Sequence, residues 1–162
     1  MTESNLPENR FKDLPLVSDS GGKFLTSRTK AGAGPVVPRR DFHVEKDGVK
    51  YVGVHLIVDL IGASRTDDHA LIEMTLRQCS IAAGASLLDL QLHRFTPNGG
   101  ISGVAILAES HISFHSWPED GYAAVDIFMC GQTQPHRAVD VLKRAFRPDR
   151  LELFEHRRGR ME

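Results

Sequence analysis

The chain has 162 residues, 41% of them hydrophobic, which suits one globular domain with a real core. Its 20 basic and 21 acidic residues leave a net charge of −1 and form no basic stripe, which argues against a nucleic-acid or anionic-membrane partner. No apolar run approaches the roughly 18 residues of a membrane span, and Met1-Thr2-Glu3-Ser4-Asn5 begins no basic-then-apolar leader, so a soluble, cytoplasmic protein is expected.

Residues 1–45 are rich in Gly, Pro, Ser and charge, as in Ser18-Asp19-Ser20-Gly21-Gly22 and Ala31-Gly32-Ala33-Gly34-Pro35. Such a segment offers too little apolar surface to offset its ordering entropy, and it is expected to be a flexible extension. A single domain over residues 46–157 and a charged tail over 158–162 complete the organisation. From Tyr51 to Leu60 the alternation predicts a strand with Val52, Val54, Leu56, Val58 and Leu60 on one face and His55, Ile57 and Asp59 on the other. Thr66-Asp67-Asp68 is a helix-start signal, because short oxygen-bearing side chains cap free N–H groups. The helix should reach about Ala83, with Ile72, Leu76, Cys79 and Ala83 on its buried face and Gly84 ending it.

Leu87 to Phe95 predicts a second strand, with Leu88, Leu90 and Leu92 facing inward and Asp89, Gln91 and His93 outward. After the turn Thr96-Pro97-Asn98-Gly99-Gly100, a mostly apolar strand runs from Ile101 to Ala108. The next strand places His111, Ser113, His115 and Trp117 on one face and Ile112, Phe114 and Ser116 on the other. Beyond the Pro118–Gly121 turn, Tyr122, Ala124, Asp126, Phe128 and Cys130 share a face, so this hairpin is expected to bring Ser110, His115 and Cys130 together. Gln134-Pro135-His136 opens a second helix with Ala138, Val141, Leu142, Ala145 and Phe146 as its stripe, and Arg147-Pro148 stops it. A last strand is expected around Leu151, Leu153 and Phe154.

These elements predict an α+β fold, a two-layer sandwich of an antiparallel sheet with two helices on one face. The other face collects His55, Asp59, Asp89, His93, His111, His115, Asp126 and Cys130. A face so polar is either solvated or shared with a partner sheet. Cys79 and Cys130 are expected to be free thiols, since a core-rich domain needs no single bridge.

Several chemistries compete for these side chains. His111 and His115 are four residues apart on one strand, near 13 Å at about 3.3 Å per residue, too far to chelate one ion. His55 and His93 lie on different strands, but neither helical nor Cys-x-x-Cys spacing supports a metal, and none is expected. A thiol hydrolase would use Cys130 as nucleophile, His115 as base and Asp126 as orienting carboxylate, without any local nucleophile signature.

Glu109-Ser110-His111, then His115-Ser116-Trp117-Pro118-Glu119, then Gly121-Tyr122-Ala123-Ala124-Val125-Asp126 and Cys130-Gly131 resemble the prokaryotic S-adenosylmethionine decarboxylase proenzymes. The likeness extends upstream through Ser102-Gly103-Val104 and Leu92-His93-Arg94-Phe95 to Gly53-Val54-His55-Leu56, covering about Tyr51 to Phe154. It implies self-cleavage between Glu109 and Ser110, with Ser102 assisting at the carbonyl and His115 taking the Ser110 α-proton. Ser110 would become a pyruvoyl cofactor that forms a Schiff base with the substrate amine and accepts the electrons left by carbon dioxide. Cys130 would then protonate carbon, as a thiol of ordinary pKa near 8.5 is able to do at neutral pH.

Phe95 and Trp117 match aromatic positions suited to the sulfonium and adenine of S-adenosylmethionine, and Glu119 matches an acceptor for ribose hydroxyls. The resemblance also implies a homodimer of processed protomers and a product that donates aminopropyl groups to spermidine. Two departures accompany it: the turn Pro97-Asn98-Gly99-Gly100-Ile101 is one residue longer than the family pattern, and Ser116 stands where threonine is common. Two other readings stand beside it, a pyruvoyl decarboxylase of ornithine or arginine and a non-catalytic regulatory paralogue.

Overall fold

The structure is a computed structural model that describes residues 43–46 and 48–161. The expected flexible extension falls, up to residue 42, outside the described residues. Its last residues contribute to a short strand β1 (Val44–Lys46) that pairs antiparallel with β2 (Val49–Tyr51).

The main sheet has six strands, all antiparallel: β3 (Gly53–Ile61), β4 (Leu87–Arg94), β5 (Ile101–Leu107), β6 (Ser110–Trp117), β7 (Tyr122–Cys130) and β8 (Arg150–Arg158). Their spatial order is β4-β5-β6-β7-β3-β8. Two helices, α1 (His69–Ala83) and α2 (His136–Phe146), cover one face, so the fold is the α+β sandwich expected. The inward face carries Leu56, Val58 and Leu60 from β3, Ile112 and Phe114 from β6, and Ala123, Val125, Ile127 and Met129 from β7. These pack with Ile72, Leu76 and Cys79 of α1 and Leu142 and Phe146 of α2. Each large apolar side chain buried in this layer contributes roughly 1.5–3 kcal/mol relative to exposure.

The helix signals act as read. Asp68 is the N-cap of α1 and accepts a hydrogen bond from the Leu71 N–H at 3.0 Å. That bond and the neighbouring Arg65 hold the Asp68 carboxyl below the usual carboxylate range. Gly84 ends α1 with φ 73°, a left-handed conformation that costs glycine little, and its N–H reaches the Ile81 carbonyl. Pro135 precedes α2, and Arg147 terminates it.

Three expectations are corrected. The single strand from Tyr51 is two strands, broken at Val52, so Val52 lies outside β3 and the inward alternation begins at Val54. Leu88 does not face inward: a register shift between Leu87 and Asp89 turns it out to 66% exposure, and Leu87 packs on the core instead. The charged tail begins inside β8, which runs through Arg158, and Met161 bridges back to Lys50.

Candidate active site

The β5–β6 connection is a two-residue turn, because Leu107 pairs with Ser110 and only Ala108 and Glu109 lie between them. Glu109 takes φ 63°, a left-handed conformation unfavourable for any side-chain-bearing residue. The Glu109–Ser110 bond therefore leaves a tight, unfavourable turn and enters β6 directly. Ser110 Oγ accepts a hydrogen bond from the Cys130 N–H at 3.1 Å, which ties the first residue of β6 to the last of β7. A cavity of about 340 Å³ opens beside them, lined by Ala85, Ser86, Glu109, Cys130, Gln132 and Thr133 among others.

The Cys130 thiol is pushed up, first by desolvation and then by the Glu109 carboxylate, against a smaller opposing effect of its hydrogen bond with Ser110. It remains a protonated acid at neutral pH. Gly53 is its cross-strand partner, and a Cβ there would come 2.5 Å from the Met129 carbonyl and 3.1 Å from the Cys130 sulfur. The missing side chain is what leaves room for the thiol.

His115 is not part of this group. It lies five residues along β6 from Ser110, roughly 16 Å at about 3.3 Å per residue, so the expectation that one hairpin gathers Ser110, His115 and Cys130 is corrected. The hairpin unites Ser110 with Cys130 alone. His115 is instead the register partner of Ser102, and the Ser102 hydroxyl and His115 Nδ1 share a hydrogen bond of 2.8 Å. Both line a second cavity of about 470 Å³ with Gln91, His93, Val104 and Ser113.

The aromatic and acidic candidates belong to this second end. Phe95 follows the last residue of β4, is 46% exposed, and meets the His93 ring edge-on at 4.7 Å. Trp117 ends β6, is 40% exposed, and lies 5.3 Å from the Tyr122 ring. Glu119 sits in the 3-10 turn Pro118–Asp120 and accepts a bond from Asn98 Nδ2 at 3.4 Å. Asn98, in the lengthened turn, is a contact that residue patterns alone did not reveal.

Between the two ends, the polar face is knitted by hydrogen bonds. Arg158 Nη1 donates to His55 Nδ1 at 3.2 Å, which leaves His55 Nε2 to donate to Asp126 Oδ1 at 3.2 Å. Ser113 donates to the other Asp126 oxygen at 3.1 Å. Asp126 is thus occupied by His55 and Ser113, and it does not orient His115 as a hydrolase triad would require. Cys79 is fully buried, and desolvation pushes its thiol up to about 12. Both cysteines are free thiols. Among the described residues, no helix is long and apolar enough to cross a membrane.

A family profile for S-adenosylmethionine decarboxylase matches residues 54–159, a span that takes in both ends of β6 and every candidate side chain above. The chain belongs to the S-adenosylmethionine decarboxylase family. It is 46% identical over 112 residues to the S-adenosylmethionine decarboxylase proenzyme of Thermomicrobium roseum, covering 68% of this chain and 97% of the relative. With the proenzyme of Thermotoga maritima it shares 39% identity over 117 residues, 70% of this chain and 89% of that one. The crystal structure of the adenosylmethionine decarboxylase from Aquifex aeolicus superposes with a TM-score of 0.61 at 32% identity, covering 69% of this chain and 94% of the other. S-adenosylmethionine decarboxylases are carboxy-lyases, the enzyme class expected from the Ser110 to Gly131 block.

Proposed function

We propose that the chain is the proenzyme of an S-adenosylmethionine decarboxylase that generates a pyruvoyl group from Ser110 and works as a homodimer with sites shared between protomers. The observation that carries the reading is the Ser110 hydroxyl bonded to the Cys130 backbone at the left-handed Glu109 turn, in a chain of this family.

Processing needs no added cofactor, only side chains of this sequence and one water. The Ser110 hydroxyl attacks the Glu109 carbonyl carbon, the C–N bond breaks, and the amide becomes an ester with the proton passing to the freed nitrogen. Removal of the Ser110 α-proton expels Glu109 as a carboxylate, and hydrolysis of the remaining end releases ammonia and leaves the pyruvoyl group. The base for that step is His115, which Ser102 holds by its ring nitrogen.

Within one chain His115 stands too far away, so a second copy supplies it. A two-fold pairing through the polar sheet face brings Ser110 and Cys130 of one protomer to Ser102 and His115 of the other. Phe95, Trp117 and Glu119 accompany His115, so the substrate is gripped by one protomer and reacts at the other. The residues present fit the pyruvoyl group: its keto carbon would be the former Ser110 Cα, beside the Cys130 thiol, which stays protonated.

When formed, the group supplies an electron sink for loss of carbon dioxide from an α-amino acid. Cys130 delivers the proton that replaces the carboxylate. Phe95 and Trp117 present π faces to the sulfonium and adenine, with cation–π contact worth roughly 0.5–2 kcal/mol. Glu119 accepts the ribose hydroxyls. The product is the aminopropyl donor used in spermidine synthesis.

Intact mass spectrometry of fresh protein tests the reading, with the Ser110→Ala variant as control. Two fragments split at Glu109–Ser110, a blocked N-terminus on the second and an uncut variant are expected. A chain that stays whole after long incubation sinks it.

A further inference from the structure

Trp117 and Tyr122 are direct partners in the β6–β7 register, the last pair before the connecting turn. Their rings lie 5.3 Å apart and tilted by 34°, so the indole rests on the phenol ring with its other side turned outward. The phenol is itself anchored. Tyr122 Oη donates to Asp59 Oδ1 at 2.6 Å, across to the neighbouring strand β3. A bond that short to a carboxylate is among the stronger side-chain hydrogen bonds. Asp59 above all, with burial and Glu152 adding to it, pushes the phenol up to about 12, so it remains a donor through neutral and alkaline pH. The steps proposed above assign no role to Tyr122 or Asp59.

We infer that Tyr122, pinned by Asp59, is a positioning residue for Trp117 and sets the plane of the indole that receives the adenosyl-sulfonium end of the substrate. The inference rests on the reading of Trp117 as part of the substrate site. An indole at 40% exposure has open space on one side and needs a fixed surface on the other. Tyr122 is that surface, and the hydrogen bond to Asp59 removes the ring's freedom to slide.

The test uses the full chain after self-cleavage, which itself reports correct folding. Tyr122→Phe and Asp59→Ala are expected to raise KM for S-adenosylmethionine about three- to tenfold with kcat within about twofold, because they loosen binding and not the chemical step. Asp59→Asn, which keeps an acceptor for the phenol, shows a smaller rise than Asp59→Ala. The chain contains a single tryptophan, so its emission reports on Trp117 alone, and its anisotropy falls in Tyr122→Phe and Asp59→Ala.

Trp117→Ala separates the two claims. If that variant keeps the wild-type KM, Trp117 is not in the substrate site and the inference falls with it. If it raises KM while Tyr122→Phe and Asp59→Ala do not, only the positioning role is overturned. A raised KM with unchanged Trp117 anisotropy overturns it equally.

Discussion

Mixing two inactive variants should restore activity. A general base acts from about 2.6–3.2 Å or through one water, whereas five strand residues put His115 roughly 16 Å from Ser110 in its own chain. In the proposed mechanism Ser110→Ala removes the pyruvoyl precursor and His115→Ala removes the base, so homodimers of either variant are expected to be inactive. In a two-fold heterodimer, one site receives Ser110 from one chain and His115 from the other, and the second site receives both alanines. Co-expression with two tags and tandem purification should therefore yield heterodimers with about half the wild-type specific activity; the unfractionated equal mixture has about a quarter. Denaturing gels should show cleavage of the His115→Ala chain only, and carbon dioxide release gives the rate. Heterodimers with neither cleavage nor turnover would refute the shared site, as would His115→Ala homodimers that self-cleave at the wild-type rate.

Cys130→Ser should still self-process but lose about 10²- to 10⁴-fold in kcat, the usual contribution of a general acid, when followed by carbon dioxide release. Gly53→Ala, whose new Cβ would press on the Met129 carbonyl and Cys130 sulfur, should cost about 1–3 kcal/mol in urea unfolding and lower kcat. Cys79, raised to about 12 in the fold, gives a pH effect of definite sign. Between its ordinary value near 9 and about 12 the unfolded chain has lost a proton that the native state keeps, so stability falls as pH rises. Its contribution is fully present below pH 9 and disappears by roughly 1.4 kcal/mol per pH unit above it, a slope that Cys79→Ala should remove in alkaline denaturation.

What the residue pattern revealed, and what it hid, follows from the range of each interaction. Alternation in β3, β6 and β7 and the caps Asp68 and Gly84 are local, so the buried and polar faces could be read directly. Leu88 could not, because a single bulge reverses the parity of everything before it. The grouping of site residues was half legible. Ser110 and Cys130 meet because β6 and β7 are joined by a short turn, but strand rise alone separates His115 from Ser110, and periodicity describes faces without describing which end of a face. The Asp59–Tyr122 bond depends on β3 lying beside β7, a pairing between residues 63 apart that no local pattern announces. Asp126 looked available to His115 for the same reason, and the position of β3 gives it to His55.

The strand order has a consequence for the processed molecule. The proposed cut after Glu109 would leave β1 to β5 and α1 on one fragment and β6, β7, β8 and α2 on the other. Across the sheet, β5 of the first fragment borders β6 of the second, and β3 lies between β7 and β8. The pieces are thus interleaved, and neither owns a complete core. Before the cut, each protomer can rebuild its core within one polypeptide, and only the pairing of protomers depends on concentration. After the proposed cut, each protomer's own core would have to be reassembled from two polypeptides, so maturation would add an encounter step to folding that the uncut protomer does not need.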